Sequence, residues 1–201
     1  MRTSRFLILS LAVALFVLAS GCTHMMHAPT TTVSSYPATE KINLKIGLAI
    51  LPELTDAKYE FHFAGDKWLL PLGENLTRNS ESLAKQLFSS VTVQNVTTAE
   101  ALPGMEATLI LRMKTIEQSS GAAAWTEAAT TIVLEWSLKD SKNTVVWADT
   151  IRADAKSKLG TAFNRNSNSE KRVKTAIEKA FQDSFRAIST SPEIRKLAAG
   201  K

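Results

Sequence analysis

Cysteine is nearly absent from this sequence, since Cys22 is the only one among 201 residues. An internal disulfide is therefore excluded, and a folded domain must depend on its apolar core. Histidine is scarce as well, because His24 and His27 lie in a polar segment and His62 stands alone. A zinc site needs four protein ligands, or three protein ligands and a water. We therefore predict no bound metal and no cofactor.

The motifs of the common enzyme classes are also missing. The chain has no Gly-x-Ser-x-Gly nucleophile elbow and no glycine-rich phosphate-binding loop. Glu127 and Glu135 share one face of a predicted strand, but they would lie ~27 Å apart, well beyond the ~10 Å that glycosidase chemistry allows. We therefore predict that the protein is not an enzyme. A cluster of carboxylates, or of Ser and His, that only the fold brings together would change this prediction.

Charge of one sign is only in slight excess. The formal net charge is +5 and falls to +3 if Arg2 and Arg5 are removed with an amino-terminal signal. No cluster of Lys and Arg is interleaved with aromatic residues, so the sequence argues against nucleic-acid binding. After residue 20, no apolar run is long enough to span ~30 Å of hydrocarbon.

The amino terminus has the pattern of a targeting signal. Arg2 and Arg5 precede an apolar run over residues 6–20, and small residues lead into Cys22. A basic start, a short apolar run and small residues at the cleavage site are typical of a secretory signal peptide. The apolar run is too short for a transmembrane helix.

The segment Ala19-Ser20-Gly21-Cys22 resembles the lipobox of bacterial lipoproteins, with Ala19 where leucine is favoured. This resemblance implies that residues 1–21 are removed, that the Cys22 sulfur is lipidated, and that the new amino terminus is acylated, typically with palmitate. Two or three acyl chains hold a protein at a membrane almost permanently, because each buried CH₂ contributes ~0.8 kcal/mol. Thr23, not aspartate, follows the cysteine, which in a Gram-negative cell implies the outer membrane and a domain facing the periplasm. The alternative is an ordinary signal peptide cleaved elsewhere.

Three regions follow from the composition. Residues 1–21 form the signal peptide, and residues 22–40 form the lipidated cysteine and a flexible tether, because this segment is rich in Ser, Thr and Pro and has no apolar period. Residues 41–201 form a single globular domain, which is long enough to bury a sizeable core.

The apolar periodicity of this domain predicts an α+β fold. Alternating residues over 42–50 predict a strand, and steps of three and four predict helices over 73–90 and from about 170 to 188. Three antiparallel strands lie between these helices. We therefore predict a mixed, largely antiparallel sheet with two main helices packed on one face, preceded by the signal peptide and the disordered tether.

Four aromatic residues lie close together outside the clearly periodic segments: Tyr59, Phe61, Phe63 and Trp68. This stretch is compatible with a short strand and an exposed loop. Aromatic side chains are enriched at interfaces, so these four residues are candidates for a partner-binding surface. The alternative is that they fold over the edge of the sheet as a satellite cluster.

Several of these features together resemble the YajG-type family of bacterial lipoproteins. They are the lipobox, the alternating strand over 42–50, the helix ending at Leu87-Phe88, and the block from the antiparallel strands through residues 173–188 to Ser191–Leu197. The resemblance implies an envelope location and an α/β sandwich. It supplies no catalytic residues, because no enzyme activity is established for the family.

The preferred functional hypothesis is a lipid-anchored, non-enzymatic protein of the cell envelope that docks on another envelope protein. The alternative is a carrier for a lipid or a cell-wall fragment. The carrier hypothesis predicts an apolar pocket, unfilled by side chains, between the sheet and the helices.

Overall fold

A computed structural model describes residues 23–26, 33, 36–37, 39–63, 66–120, 127–158 and 165–200. These residues fall into two units. The small unit comprises the described residues up to Met26 together with those of Lys58–Pro71. The large unit comprises the described residues of Ala28–Ala57 and Leu72–Lys201. The predicted domain of residues 41–201 therefore contributes to both units. The predicted signal peptide, residues 1–21, and Cys22 lie outside the described residues.

The large unit is built on a five-stranded sheet with the order β5-β2-β6-β7-β8. Its strands are β2 (Ile42–Ile50), β5 (Phe88–Asn95), β6 (Ala107–Ser120), β7 (Glu127–Asp140) and β8 (Val145–Lys158). The central strand β2 pairs in parallel with both β5 and β6, whereas β6, β7 and β8 are antiparallel. The predicted mixed, largely antiparallel sheet of an α+β fold is thus confirmed.

Two long helices, α2 (Gly73–Leu87) and α3 (Arg165–Thr190), cover one face of this sheet. The α2 helix contacts β2, β5 and α3, and α3 contacts β7 and β8, so both lie on the same side. The alternating residues of β2 from Ile42 to Ile50 are buried, as are Ile177 and Phe181 of α3. This arrangement confirms the predicted packing of two main helices on one face. Two short helices complete the unit, α1 (Pro52–Thr55) and α4 (Pro192–Ala199).

The loop between β5 and β6 forms a smaller apolar cluster. It combines Ala49, Leu51, Leu102 and Ile110, with Val96, Ala99 and Met105 packed against them. A Cβ atom on Gly47 would lie 2.5 Å from Leu102 Cδ1, so the glycine allows this loop to approach β2 closely. Odd-numbered residues at the end of β2 are therefore buried as well as the even-numbered ones.

The small unit is a three-stranded sheet with the order β1-β4-β3. Its strands are β1 (Thr23–Met25), β3 (Lys58–Phe63) and β4 (Asp66–Pro71). Strands β3 and β4 form an antiparallel hairpin, and β1 adds to β4 in parallel. In the large unit, the residues that flank this hairpin meet directly, because the Ala57 carbonyl accepts hydrogen bonds from Leu72 N at 2.8 Å and Gly73 N at 3.1 Å.

The described residues of segment 22–40 make contacts that the composition does not predict. Thr23–Met25 is a strand, and Val33 N donates a hydrogen bond to Asn79 Oδ1 at 2.9 Å. The Tyr36 ring stacks on Phe185, with ring centroids 4.7 Å apart. Only a few residues of the segment make these contacts, and the flexible tether over 22–40 stays a prediction. Within the described residues, no helix is long and apolar enough to cross a membrane.

Candidate functional site

Three rings form a row across the small sheet. Trp68 on β4 lies directly opposite Phe61 on β3 and His24 on β1. The His24 and Trp68 centroids are 4.4 Å apart and the Phe61 and Trp68 centroids 6.3 Å apart, both with nearly parallel planes. Tyr59 is two residues before Phe61, hence on the same face, and stacks on it at 5.3 Å. We call these four residues the aromatic row.

The aromatic row contains three of the four predicted partner-binding residues. Tyr59 is only 4% exposed, whereas Phe61 and Trp68 are half-buried. The backbone of Phe63 ends β3, but its side chain lies outside the described residues. The residues are therefore brought together on a strand pair and not on an exposed loop, and Tyr59 offers almost no surface to a partner.

The sequence did not single out His24 as part of this cluster. Its Nε2 atom lies 3.2 Å from Asp66 Oδ2, and its ring covers one side of the Trp68 indole. The strand that carries it has only three residues, so no alternating pattern could reveal it. The Trp68 Nε1 atom is buried and has no hydrogen-bond partner in the part of the chain that the structure describes.

The opposite face of the small sheet is less aromatic and more exposed. Met25, Leu69 and Glu60 lie side by side on β1, β4 and β3. Lys67 is two residues before Leu69, hence on the same face, and its Nζ atom lies 2.7 Å from Glu60 Oε1. Met25 is 67% exposed and Leu69 is half-buried. We call these four residues the Met25 face.

The two edges of the large sheet differ in chemistry. Edge strand β5 has the sequence FSSVTVQN, with no charge and no proline, and Val91 and Val93 are only partly covered. Edge strand β8 carries five charged residues: Asp149, Arg152, Asp154, Lys156 and Lys158. Charges on an edge strand prevent another strand from pairing with it. By this criterion β8 is protected and β5 is open to strand addition.

The described residues of the large unit line several cavities, of which two are well defined. One of about 550 Å³ is lined by Tyr36, Pro37, Thr39, Gln182, Phe185, Arg186 and Ser189. Another of about 590 Å³ lies where β2 and β5 end, lined by Ile50, Pro52, Thr55, Asn95, Val96, Thr97 and Thr98. Burial raises the pKa of the Tyr36 hydroxyl above its ordinary value, so this group is neutral. Neither cavity is lined by both the sheet and the two main helices, where the carrier hypothesis places its pocket.

The described residues hold neither a metal-binding cluster nor a close pairing of Glu127 with Glu135. No three His, Cys, Asp or Glu side chains there are arranged to hold a metal ion. Glu127 and Glu135 lie eight positions apart on the extended strand β7, as the sequence predicts. Each has a lysine as its ion-pair partner, Lys156 for Glu127 and Lys114 for Glu135.

We expect replacement of Trp68 by alanine to loosen the small sheet locally. The substitution removes two stacked pairs, with His24 and Phe61, each worth ~0.5–1.5 kcal/mol. Amide hydrogen exchange in β3 and β4 should accelerate about tenfold or more. Exchange in β7 should stay as in the wild type. Equal acceleration in β3, β4 and β7 would contradict a local role for the aromatic row.

Comparison with known proteins gives a likeness of fold. No family model matches the chain, and no curated protein matches it. The crystal structure of protein XCC0632 from Xanthomonas campestris, described by the family model DUF330, superposes with a TM-score of 0.57 at 12% identity. The match covers 80% of this chain and 91% of that chain. The two chains share a fold. At this identity, the likeness says nothing about activity.

Other solved structures match less closely. A minor lipoprotein from Acinetobacter baumannii has a TM-score of 0.40 at 17% identity, covering 74% of this chain and 92% of that chain. The PelC dodecamer from Paraburkholderia phytofirmans has a TM-score of 0.39 at 15% identity, covering 74% and 91%. These scores are too low to carry a conclusion about this chain. The resemblance to the YajG-type family therefore stays a prediction.

Proposed function

We propose that the protein is a lipid-anchored lipoprotein of the cell envelope that has no enzyme activity and docks on another envelope protein. The open edge of β5 is the observation that carries the docking part of this proposal. The lipobox at Ala19–Cys22 supports the lipid anchor. The family that we propose for the chain is the YajG-type family of lipoproteins, because its sequence pattern resembles that family. In a Gram-negative cell, Thr23 after the cysteine favours the outer membrane with the protein facing the periplasm.

The geometry of β5 suits the addition of a partner strand. One side of β5 pairs with β2, and among the described residues the strand order leaves no strand on its other side. Val91 and Val93 are in register with Ile46 and Leu48, so they point towards the helices, whereas Thr92 is opposite Gly47 on the other face. An added strand would satisfy the edge amides and carbonyls and cover both valines.

A single charge on β5 tests the proposed docking edge. We expect Thr92→Lys to reduce recovery of the bound partner at least tenfold, because a charged side chain on an edge strand disfavours pairing. The measurement is crosslinking in intact cells, purification through a carboxyl-terminal tag, and quantification of co-purifying proteins by mass spectrometry. Thr150→Lys is the matched control, since it makes the same change on the charged edge strand β8.

The outcomes separate the possible occupants of the edge. Equal recovery with Thr92→Lys and Thr150→Lys would contradict docking at β5. If light scattering shows a dimer that Thr92→Lys converts to a monomer, the occupant is a second copy of this chain. Recovery of a lipid or a glycan without any protein would favour the carrier alternative. A parallel Cys22→Ser variant shows whether the anchor is needed for the interaction.

A further inference from the structure

The small sheet begins at the residue next to the proposed lipid anchor. Thr23 is the first residue of β1 and directly follows Cys22. A chain extends at most ~3.6 Å per residue, so Met25 lies within ~11 Å of the Cys22 backbone. The polar interfacial layer of one leaflet is ~5–8 Å thick. If acyl chains hold Cys22 in this layer, β1 lies in it or immediately above it.

The Met25 face has the composition of a surface that contacts lipid. Met25 is the more exposed of the two large apolar side chains that are prominently exposed in the described residues, at 67%, against 52% for Val145. Leu69 lies beside it in register on β4. Of the charges that border these side chains, Lys67 and Glu60 form an ion pair, and the exposed Lys58, two residues before Glu60, adds one positive charge to the same face. Its attraction to a membrane would therefore be mainly apolar, with a favourable contribution from Lys58 where the lipid is anionic.

The aromatic row makes the opposite face unsuitable for the same role. Tyr59 is buried, and His24 and Phe61 cover the two sides of Trp68. The stacked rings thus stabilise the small sheet on the face opposite Met25 and hold β1 against β4. Met25 therefore lies on a strand that is held by backbone pairing and ring stacking, and not on a loose segment.

We infer that the Met25 face of the small sheet rests on the lipid headgroup layer, with the Met25 side chain inserted between the headgroups. This inference rests on the proposed anchor at Cys22 and extends it, since it assigns part of the folded protein to the membrane surface. The occupant of the face is a lipid surface. A protein partner at the same face is an outcome that the test distinguishes.

The test uses a fluorescent label at Met25 and a matched label at Val145. The full-length protein with Met25→Cys or Val145→Cys is expressed with its signal segment, extracted in detergent, and checked by intact mass for acylation. The introduced cysteine is then the only free thiol and takes an environment-sensitive NBD label. Both proteins are reconstituted in phosphatidylethanolamine and phosphatidylglycerol vesicles that contain headgroup- or doxyl-labelled quencher lipids.

We expect quenching at position 25 to exceed quenching at position 145 at least threefold. Leu69→Cys, on the same face, should be quenched more than position 145 as well and gives an independent reading if Met25→Cys is poorly produced. Equal or absent quenching at 25 and 69 in acylated protein would overturn the inference and leave the anchor standing. Because the vesicles contain no other protein, a protein-binding face would give this negative result. If the intact mass shows no acyl chains, the proposed anchor is contradicted, and the inference is contradicted with it.

Discussion

Replacing Trp136 with alanine is expected to lower the free energy of unfolding of the large unit by about 3–5 kcal/mol. The indole is fully buried, and it packs nearly perpendicular to the Phe181 ring with ring centroids 6.0 Å apart. Its Nε1 atom donates a hydrogen bond to Ser184 Oγ at 2.8 Å, and Ser184 Oγ in turn donates to the Ala180 carbonyl. Alanine would leave a large cavity between β7 and α3 and would remove the donor to the buried Ser184 hydroxyl.

Trp147 provides the matched control for this substitution. It lies on edge strand β8 and is only half-buried, so the same change to alanine removes less buried surface. Urea unfolding followed by circular dichroism measures both variants. Pairing Trp136→Phe with Ser184→Ala in a double-mutant cycle isolates the hydrogen bond, which should contribute about 0.5–1.5 kcal/mol. Equal losses for Trp136→Ala and Trp147→Ala would contradict the assignment of Trp136 as the centre of this core.

Elements with a long, regular period could be predicted from the sequence. The alternation of Ile42 to Ile50 gives β2, and the polar turn after Asp140 joins β7 to β8 as an antiparallel pair. The last helix, Pro192–Ala199, also follows local rules, because Ser191 Oγ accepts a hydrogen bond from Ile194 N and Pro192 occupies the first turn. In each case the signal lies within a few residues of the element it specifies.

Boundaries that depend on distant contacts were predicted less well. Phe88 continues the apolar spacing of α2, so the sequence predicts that it belongs to the helix. It begins β5 instead, because it pairs with Ile42 in the parallel part of the sheet. The third helix begins at Arg165 and not near residue 170 as the apolar spacing predicts. Tertiary pairing overrides a local helical pattern in the first case, and the polar composition hid the first turn in the second.

The candidate surfaces were only partly visible in the sequence. The cluster of Tyr59, Phe61 and Trp68 could be recognised from its aromatic content, but its burial could not, since that depends on the pairing of β1 with β4. The open edge at β5 depends on topology alone. Strand β2 lies between β5 and β6, and a linear order of strands does not reveal which strand becomes an edge.

Gly73→Ala is expected to destabilise the large unit by about 3 kcal/mol or more, because a side chain there has no room and overpacking costs typically 1–3 kcal/mol even where neighbours can move. In an exposed helix interior the same change would stabilise by about 1 kcal/mol. Here a Cβ atom would lie 1.7 Å from the Thr55 carbonyl oxygen, at the end of α1. The obstacle is backbone, so α2 would have to move away from α1. That movement would also stretch the hydrogen bond from Gly73 N to the Ala57 carbonyl.

Gly47→Ala is the control that isolates the nature of the obstacle. Its Cβ atom would lie 2.5 Å from Leu102 Cδ1, which is the far end of a flexible side chain in a loop. Rotation of Leu102 relieves this contact, but Met105 Cγ at 3.1 Å and Leu102 Cβ at 3.2 Å must also shift by a few tenths of an ångström, so we expect a loss within the overpacking range, about 1–2 kcal/mol. Urea unfolding of both variants compares the two positions directly. A Gly73→Ala protein as stable as the wild type would contradict the tight contact between α1 and α2, and would mean that the hydrogen bond to the Ala57 carbonyl does not hold the start of α2 rigidly.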